Sequence, residues 1–409
     1  MNAPLYTPAA RGSGSYLPPA LAARRWRDMA RVWWREIDKV LLLLILVLMG
    51  IGLIAVAAAS PASADQLSTA TERVADFMFF KRHIVFQLMG LTLMIGLSFL
   101  SRDQARRLGI LVGATMLALL FVVPIFGEEK NGAKRWINVG MSLQPSEFLK
   151  PGFAIICAWI LSWRVRDPGL PVIWYVSGLF GLIAGLLMLQ PNLGDAILFG
   201  GIWLVMVLLA GMQWQRIAML GGVGVVGLTL AYMFYDNARH RIDDFRGGGT
   251  AFDQVDLAQR TITAGGWTGT GLWLGMRKMN LPEAHTDYIF AVIGEEFGLI
   301  MCAGVVLLYC ALVLRALTRL VGEDNLFALL AAAGLITQFG GQAFINILVN
   351  LKLFPSKGMT LPLISYGGSS TLAVCFTLGL LLAITRRNPF LAREGTSLRD
   401  LIERKDTSA

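Results

Sequence analysis

The sequence predicts an all-α polytopic membrane protein with ten transmembrane helices. Of its 409 residues, 55% are hydrophobic and 15% are charged, and the mean hydropathy is +0.60. This composition is too apolar for a soluble globular protein of this length. A hydrocarbon core about 30 Å thick is crossed by roughly 20 apolar residues of helix. Ten segments meet this requirement: 40–60, 83–100, 109–127, 147–163, 171–189, 195–211, 217–235, 289–314, 326–351 and 369–385.

The distribution of Lys and Arg predicts the orientation of these helices. With a cytoplasmic amino terminus, the segments on the cytoplasmic side hold most of the Lys and Arg residues. The positive-inside rule therefore places both termini in the cytoplasm. Three longer loops are then external, at 128–146, 236–287 and 352–368. The loop 236–287, between helices 7 and 8, is the longest, and long irregular loops are often functional.

The segments outside the membrane domain carry few chemical motifs. Residues 1–39 are predicted to form a basic cytoplasmic tail that ends in an interfacial helix, the membrane domain spans 40–385, and 386–409 form a second cytoplasmic tail. No cleavable signal peptide is expected, because the first apolar run follows a long basic leader. The net charge of +9 reflects membrane orientation, so we expect no nucleic-acid partner. The four Cys residues lie in apolar spans, and no metal or nucleotide motif is present.

Ionisable residues at the edges of spans are candidates for function, because they are costly in a bilayer. Glu147 and Lys150 are either an i, i+3 ion pair or ligands of a substrate. Asp195 is interpreted as a helix cap in preference to a catalytic acid. Glu295 and Glu296 are adjacent and face different directions, so pairing with a neighbouring helix is favoured over a functional role.

Asp287 ends the polar stretch "LPEAHTD" (281–287), directly before the apolar run "YIFAVIG". Asp is among the preferred residues at a helix N-cap, so the local sequence favours a cap. A carboxylate at the external mouth of a helix bundle is also a candidate general base. Asn caps a helix about as well as Asp but cannot accept the proton, so the substitution Asp287→Asn separates the two hypotheses.

Three segments resemble the signature segments of the SEDS family, whose members act in shape, elongation, division and sporulation. They are "NGAKRWINVGMSLQPSEFLKP" (131–151), "LPEAHTDYIFAVIGEEFG" (281–298) and "PSKGMTLPLISYGGSS" (355–370). The resemblance covers about residues 39–390, and the third segment is most similar to the cell-division branch. It implies a peptidoglycan glycosyltransferase that polymerises lipid II and releases undecaprenyl diphosphate. It also implies location in the bacterial inner membrane at the division septum, with a class B penicillin-binding protein and other division proteins as partners.

The resemblance also implies individual site residues. They are Asp287 as the catalytic residue and, for substrate binding, Arg135, Glu147, Lys150, Lys357 and Ser365. His285 is a further substrate-binding candidate that the resemblance does not supply, because it is close enough in sequence to tune the Asp287 carboxylate. The sequence departs from the family at Asn192 and Asp195, where many relatives read Gln-Pro-Asp-x-Gly-Thr, so neither position is given a role.

The implied reaction sets two chemical requirements. A sugar hydroxyl must lose its proton as it attacks the anomeric carbon, and Asp287 is the expected base. The departing diphosphate gathers negative charge, which Arg135 and Lys150 are expected to stabilise, with Glu147 holding Lys150. A divalent cation at the diphosphate is compatible with this chemistry, but the sequence contains no dedicated ligand cluster.

Two other functions remain open from the sequence. The first is a lipid II flippase or transporter, because ten helices with intramembrane ions and a lateral groove also suit transport. The small-residue segment "AAAGLITQFGGQ" (331–342) is the expected position of a lateral groove, which the lipid tail of a glycosyltransferase substrate would also need. The second is a non-catalytic scaffold for division proteins, in which the external motifs are docking surfaces.

Overall fold

The computed structural model describes residues 19–68, 73–130, 133–138, 140, 142–165, 167–211, 214–234, 239, 254–355 and 358–386. The chain divides into two units, residues 1–37 and 38–409, each considered by itself. In the first unit, helix α1 (Pro19–Glu36) overlaps the predicted interfacial segment at the end of residues 1–39. Its position at a membrane surface stays a prediction.

The second unit is a helical bundle. Its helices are α2 (Lys39–Leu67), α3 (Met78–Ser98), α4 (Arg102–Phe126), α5 (Pro145–Ser162), α6 (Val172–Leu189), α7 (Leu193–Leu209), α8 (Trp214–Phe234), α9 (Gln254–Ala264), α10 (Ile289–Thr318), α11 (Leu326–Asn350) and α12 (Gly368–Thr385). Each of the ten predicted segments overlaps one of these helices, which confirms the helical class. Eight described helices are long and apolar enough to cross a membrane, and α7 is apolar but shorter. A multi-pass membrane protein follows, while the count of ten spans stays a prediction.

Asp38 fastens the start of α2 to the end of α10. Its carboxylate accepts hydrogen bonds from the backbone N–H groups of Val40 and Leu41, which makes it the N-cap of α2. The same carboxylate accepts from Arg315 Nε at 2.9 Å and from Arg319 Nε. Burial alone would raise the pKa of Asp38, but these hydrogen bonds outweigh it and hold the pKa below its usual value.

The bundle is packed most tightly around α12 and the helices that surround it. Helix α12 is buried along nearly its whole length and packs against α3, α5 and α11. Helices α4 and α5 approach closely, because a Cβ atom added at Gly152 would lie only 2.4 Å from the Cα atom of Gly113. Small residues at such contacts let helix backbones pack without a hydrophobic driving force.

The prediction of a lateral groove at residues 331–342 is wrong, because neighbouring side chains occupy the space beside Gly334 and Gly341. A Cβ atom added at Gly334 would lie 2.8 Å from Met206 Sδ, and one added at Gly341 would lie 2.9 Å from a Leu198 methyl group. Side chains of α7 therefore fill the space beside these glycines. The small residues in this segment serve close packing of α11 against its neighbours.

A small antiparallel sheet joins α4 to α5, and the sequence did not predict it. Its strands are β1 (Glu128–Lys130), β2 (Ala133–Asn138) and β3 (Ser142–Leu143), in the order β1-β2-β3. Ile137 of β2 lies opposite Leu143 of β3. Arg135 lies in the middle of β2, and the end of that strand pairs with β3 directly before α5.

Helix α10 is interrupted at Gly298, where φ is +81° and ψ is 176°. The loop 265–271 enters the interruption and replaces the missing helical hydrogen bonds. Four backbone hydrogen bonds join the two segments: Thr270 N–H to Glu295 O (2.8 Å), Gly271 N–H to Glu296 O (3.0 Å), Leu299 N–H to Gly266 O (3.0 Å) and Ile300 N–H to Trp267 O (3.3 Å). The positive φ favours glycine at position 298.

Glu295 and Glu296 bind residues 273–278, which follow this loop, with their side chains. The Glu295 carboxylate accepts from the backbone N–H groups of Arg277 (2.6 Å) and Lys278 (2.9 Å). Glu296 forms a buried ion pair with Lys278 and accepts from the backbone N–H of Trp273. The expected structural pairing is therefore present for Glu296, and its partner Lys278 belongs to a short 3-10 helix, Arg277–Asn280, that precedes α10.

Candidate active site

Lys150 lies at the centre of a buried charge cluster formed by the starts of α5 and α7. Its Nζ atom is 2.7 Å from Glu147 Oε1, 3.0 Å from Asp195 Oδ1 and 3.5 Å from Gln342 Oε1. The side chain is 0% exposed. The expected i, i+3 pair with Glu147 is therefore present, and a second carboxylate joins it. One cation faces two carboxylates, so the cluster as a whole is not positive.

Asp195 has a different role from the one that the sequence favoured. The N-cap of α7 is Asn192, whose side chain accepts from the Asp195 N–H at 3.3 Å. The Asp195 carboxylate accepts from Ser146 Oγ and from Asn192 Nδ2, both at 2.7 Å. The expectation of a capping carboxylate is wrong, because Asn192 occupies the cap and frees Asp195 to pair with Lys150.

Arg135 extends from β2 to the connection between α6 and α7. Its Nε atom donates to the Gln190 carbonyl at 3.0 Å, and a terminal nitrogen donates to the Pro191 carbonyl. Gln190 is itself fixed, since its Nε2 atom donates to the Leu120 carbonyl at 3.0 Å. Arg135 is partly exposed. These two hydrogen bonds go to neutral carbonyl groups.

Asp287 is held through its main chain. Its carbonyl accepts from Asn346 Nδ2 at 2.8 Å and from Asn350 Nδ2 at 3.1 Å. The N-cap of α10 is Tyr288, whose side chain makes no cap hydrogen bond, and the N–H of Ala291 donates to Asn350 Oδ1 at 3.2 Å. The cap hypothesis for Asp287 is therefore wrong, because an amide from α11 serves the first turn of the helix.

The Asp287 side chain is partly exposed and faces the segment 358–368. A Cβ atom added at Gly358 would lie 3.3 Å from Asp287 Oδ2. The backbone of this segment thus passes directly beside the carboxylate. Lys357, which immediately precedes it, lies outside the described residues.

Ser365 links the segment 358–368 to the loop that carries Asp287. Its Oγ atom donates to the Thr286 carbonyl at 2.5 Å and accepts from the Leu361 N–H at 2.8 Å. The N–H of Tyr366 donates to the His285 carbonyl at 2.9 Å. Ser365 is buried, so in this structure it joins two loops and does not face an open site.

His285 sits in an aromatic pocket two residues before Asp287. Its ring centroid is 4.2 Å from that of Phe79 and 5.4 Å from that of Tyr366. Burial lowers the pKa of His285 from 6.5 to about 4, although the charge of Glu283 opposes the shift. The imidazole is therefore neutral near pH 7. Its Nδ1 atom has no hydrogen-bond partner among the described residues.

A row of amides on α11 connects the two polar regions, and sequence reasoning missed it. Gln342, Asn346 and Asn350 follow one another at intervals of four residues and therefore share one face of the helix. Gln342 is near Lys150 and donates to the Thr360 carbonyl at 3.1 Å. Asn346 donates to the Met359 carbonyl at 2.6 Å as well as to that of Asp287. Regularly spaced amides in an apolar helix were the available signal.

The described residues contain no group of three or more His, Cys, Asp and Glu side chains that could hold a metal ion. Asp287 and the Lys150 cluster, the two acidic centres at this end of the bundle, belong to separate hydrogen-bond groups. The divalent cation considered from the sequence therefore stays a prediction. The described arrangement presents a partly exposed carboxylate at Asp287 and a partly exposed guanidinium at Arg135.

Comparison with known proteins gives the same family as the sequence motifs. The FtsW/RodA/SpoVE family model, described as "Cell cycle protein", matches residues 39–389. The "Probable peptidoglycan glycosyltransferase FtsW" of Caulobacter vibrioides (strain NA1000 / CB15N) is 35% identical over 369 residues, covering 90% of this chain and 94% of that protein. The protein of the same name from Methylococcus capsulatus (strain ATCC 33009 / NCIMB 11132 / Bath) is 36% identical over 337 residues, covering 79% and 84%.

Two solved structures share the fold. One, described as "Structural coordination of polymerization and crosslinking by a peptidoglycan synthase complex", has a TM-score of 0.69 and 28% identity, covering 86% of this chain and 98% of the other. The other is the crystal structure of the rod shape determining protein RodA of Thermus thermophilus, with a TM-score of 0.64 and 27% identity, covering 86% and 98%. The protein belongs to the FtsW/RodA/SpoVE family of cell cycle proteins.

Proposed function

We propose that the protein is a peptidoglycan glycosyltransferase that polymerises lipid II into glycan strands during cell division. The names of its relatives support the reaction. The observation that carries the proposal is the placement of Asp287, a partly exposed carboxylate whose main chain is fixed by two buried amides. A general base must be both reachable by substrate and held in position.

The proposed topology places this chemistry outside the cytoplasm. Ten spans in a membrane domain at residues 40–385 would leave both termini in the cytoplasm and Asp287 on the outer face. The bacterial inner membrane at the division septum is the proposed location. The apolar helices and the family support this arrangement.

Asp287 is the proposed catalytic residue. Its carboxylate would accept the proton of the attacking sugar hydroxyl of one lipid II as that oxygen forms a bond to the anomeric carbon of another. Gly358 leaves space beside Oδ2, since any side chain there would begin 3.3 Å from this oxygen. Two hydrogen bonds set the distance between the segment 358–368 and the loop that carries Asp287. Ser365 donates to the Thr286 carbonyl, and the N–H of Tyr366 donates to the His285 carbonyl.

Arg135 is the proposed cation for the diphosphate leaving group. It is partly exposed, and its hydrogen bonds to the Gln190 and Pro191 carbonyls orient the guanidinium. Arg also presents a planar fork that suits phosphate oxygens. Lys357 is proposed as a further substrate contact on the strength of its motif alone.

The role expected for Lys150 needs revision. Its ammonium group is fully buried and lies between Glu147 and Asp195, so contact with a diphosphate would require it to leave both carboxylates. We therefore assign Lys150 and Glu147 a positioning role: they hold α5 against α7 and, through Gln342, against α11. This assignment places the charge needed by the leaving group on Arg135.

A class B penicillin-binding protein is the proposed partner, together with other division proteins. One similar solved structure is described as "Structural coordination of polymerization and crosslinking by a peptidoglycan synthase complex". A glycosyltransferase of this kind makes strands that a transpeptidase then crosslinks. The pairing of the two activities is the reason for the proposal.

A lipid II transporter is the second candidate, and the interruption of α10 bears on it. Broken helices in transporters commonly offer unsatisfied backbone groups to ions. Here the carbonyls of Glu295 and Glu296 accept from Thr270 and Gly271, so both are satisfied by the loop. The interruption therefore supports a structural joint better than an ion site.

The test uses the purified full-length protein in nanodiscs with labelled lipid II, with and without a class B penicillin-binding protein. The proposal expects glycan chains from the wild type and none above background from Asp287→Asn. In proteoliposomes, movement of lipid II across the bilayer without polymer would favour the transporter. Absence of both activities with every partner tested would favour a scaffold.

A further inference from the structure

The two long helices α2 and α10 share a boundary at the end opposite Asp287. Asp38, which begins α2, binds Arg315 and Arg319 at the end of α10. Counting from this ion cluster, residues 40–59 of α2 form an uninterrupted apolar stretch of about 20 residues. At 1.5 Å per residue this stretch is about 30 Å long, which matches the thickness of the hydrocarbon core.

The interruption of α10 lies about as far from this ion cluster as the end of the apolar stretch of α2. Residues 299–318 also amount to about 20 residues, or about 30 Å of helix. A hydrocarbon core of this thickness would have its boundary on the Asp287 side at Gly298, the interruption of α10. The first part of α10, from Ile289 to Glu296, is buried on all sides by protein, which is typical of a segment outside the lipid.

The loop 265–276 is fixed at this boundary by contacts with both helices. Its start is hydrogen-bonded to Leu299 and Ile300 across the interruption of α10. Trp273 Nε1 donates to the carbonyl of Ala57, which is near the end of the apolar stretch of α2. The Trp273 ring also packs edge-on against Phe77, with centroids 6.1 Å apart. The position of the loop is thus fixed by two independent sets of contacts, one with α10 and one with Ala57 and Phe77.

The outward side chains of this loop are apolar. Five are exposed although the loop is not a spanning helix: Trp267 (74%), Leu272 (40%), Trp273 (51%), Leu274 (68%) and Met276 (74%). An apolar groove of about 70 Å³ opens beside the interruption and is lined by Ile51, Ile54, Ala55, Ile293, Phe297 and Met301. Exposed cations flank the loop: Arg277 follows Met276, and Lys81 and Arg82 lie one turn beyond Phe77.

We propose that residues 267–276 form an interfacial anchor whose apolar side chains enter the phospholipid leaflet on the Asp287 side. Trp is enriched at the membrane interface, where its ring is apolar and its N–H is polar. Lys and Arg beside it match the phosphate groups of the lipids. The anchor would hold the external loop at a fixed height above the bilayer, and the proposal does not depend on the chemistry assigned to Asp287.

Site-specific fluorescence in nanodiscs tests the anchor without an activity assay. A background variant replaces Cys157, Cys302, Cys310 and Cys375, and single cysteines are then introduced by Trp267→Cys, Leu274→Cys and Met276→Cys. The matched control is Gln259→Cys, an exposed position on α9. Each protein carries an environment-sensitive nitrobenzoxadiazole label in discs of phosphatidylethanolamine and phosphatidylglycerol. Unchanged thermal unfolding confirms that each labelled protein is folded.

The anchor predicts that nitroxide lipids quench the labels at 267, 274 and 276 several-fold more strongly than the label at 259. Aqueous iodide should show the opposite order. Equal quenching at all four positions would overturn the proposal. It would also be overturned if the three labels became shielded from iodide only after a class B penicillin-binding protein was added, because the loop would then be a protein-docking surface.

Discussion

The polar region around Lys150 and the polar region around Asp287 are built in opposite ways. Around Lys150, the charges themselves are buried and bind one another. Around Asp287, the buried groups are neutral amides that bind the main-chain carbonyl, and the charged side chain is partly exposed. In the first region, ion pairs hold the helices together. In the second, neutral hydrogen bonds hold the main chain so that the Asp287 carboxylate stays partly exposed.

This difference separates stability from reactivity. A buried ion cluster gives little net stability over an apolar replacement, but removal of one member is costly because a charge remains without compensation. A carboxylate held through its carbonyl can be changed to an amide without loss of that support. Substitutions in the first region should therefore act mainly on stability, and substitutions at Asp287 mainly on rate.

Lys150→Met should have the largest effect on stability. It leaves Glu147 and Asp195 buried without their cation, and breaking such a pair costs about 3–5 kcal/mol in the free energy of unfolding. Thermal unfolding in detergent measures the change. The triple variant Lys150→Met, Glu147→Gln, Asp195→Asn removes all three charges and should recover most of the stability and part of the polymerisation activity. A triple variant that is stable but inactive would show that the cation itself takes part in the reaction.

Asn346→Leu should reduce both stability and activity. It leaves the buried carbonyls of Asp287 and Met359 without this donor, at a cost of about 1–3 kcal/mol. The matched control is Gln338→Leu, two turns away on α11, whose amide accepts from Thr377 and touches neither carbonyl. We expect similar destabilisation in both variants and slower polymerisation only in Asn346→Leu. Equal rates in the two variants would contradict the positioning role of Asn346.

Arg135→Lys should lower the rate moderately. It keeps the charge but loses the fork that binds the Gln190 and Pro191 carbonyls. A loss of about 1.4 kcal/mol in transition-state stabilisation lowers kcat about tenfold. Steady-state kinetics with lipid II should show this change in kcat with little change in apparent KM. Lys134→Ala, at the exposed neighbouring position, is the control and should leave kcat unchanged. A rise in KM alone would indicate that Arg135 binds the ground state.

His285→Gln should give the smallest effect, visible only in the pH dependence of stability. In the unfolded chain His285 takes up a proton near pH 6.5, whereas in the folded protein it does so near pH 4. Between these values the unfolded state binds more protons, so stability falls as the pH is lowered and the loss is complete below pH 4. The Tm of the variant should therefore fall less steeply than that of the wild type over this range. Identical slopes would show that His285 does not titrate in this way.

Hydropathy predicted the helices well, because it measures the property that the bilayer selects. The predicted spans 171–189 and 326–351 differ from α6 and α11 by one residue at an end. The span predicted at 289–314 includes the interruption at Gly298. Hydropathy depends on side chains and does not detect a residue with non-helical backbone angles. The sheet was missed because its strands contain three, six and two residues, too few for a pattern.

The site was predicted only where its contacts are local in sequence. The pair Glu147 and Lys150 follows from i, i+3 spacing on one helix. Asp195 and Gln342 join the same cluster from α7 and α11, and only the packing of those helices brings them together. For the same reason, the support that Asn346 and Asn350 give to Asp287 was not visible in the local sequence.

The polymerisation rate of Asp287→Asn in nanodiscs, measured beside its Tm, tests the central claim most directly. The substitution changes one side-chain oxygen and keeps the carbonyl that Asn346 and Asn350 hold. We expect the rate to fall about 10²–10⁴-fold, the usual contribution of a general base, with an unchanged Tm. A rate close to that of the wild type would show that the Asp287 carboxylate is not the base.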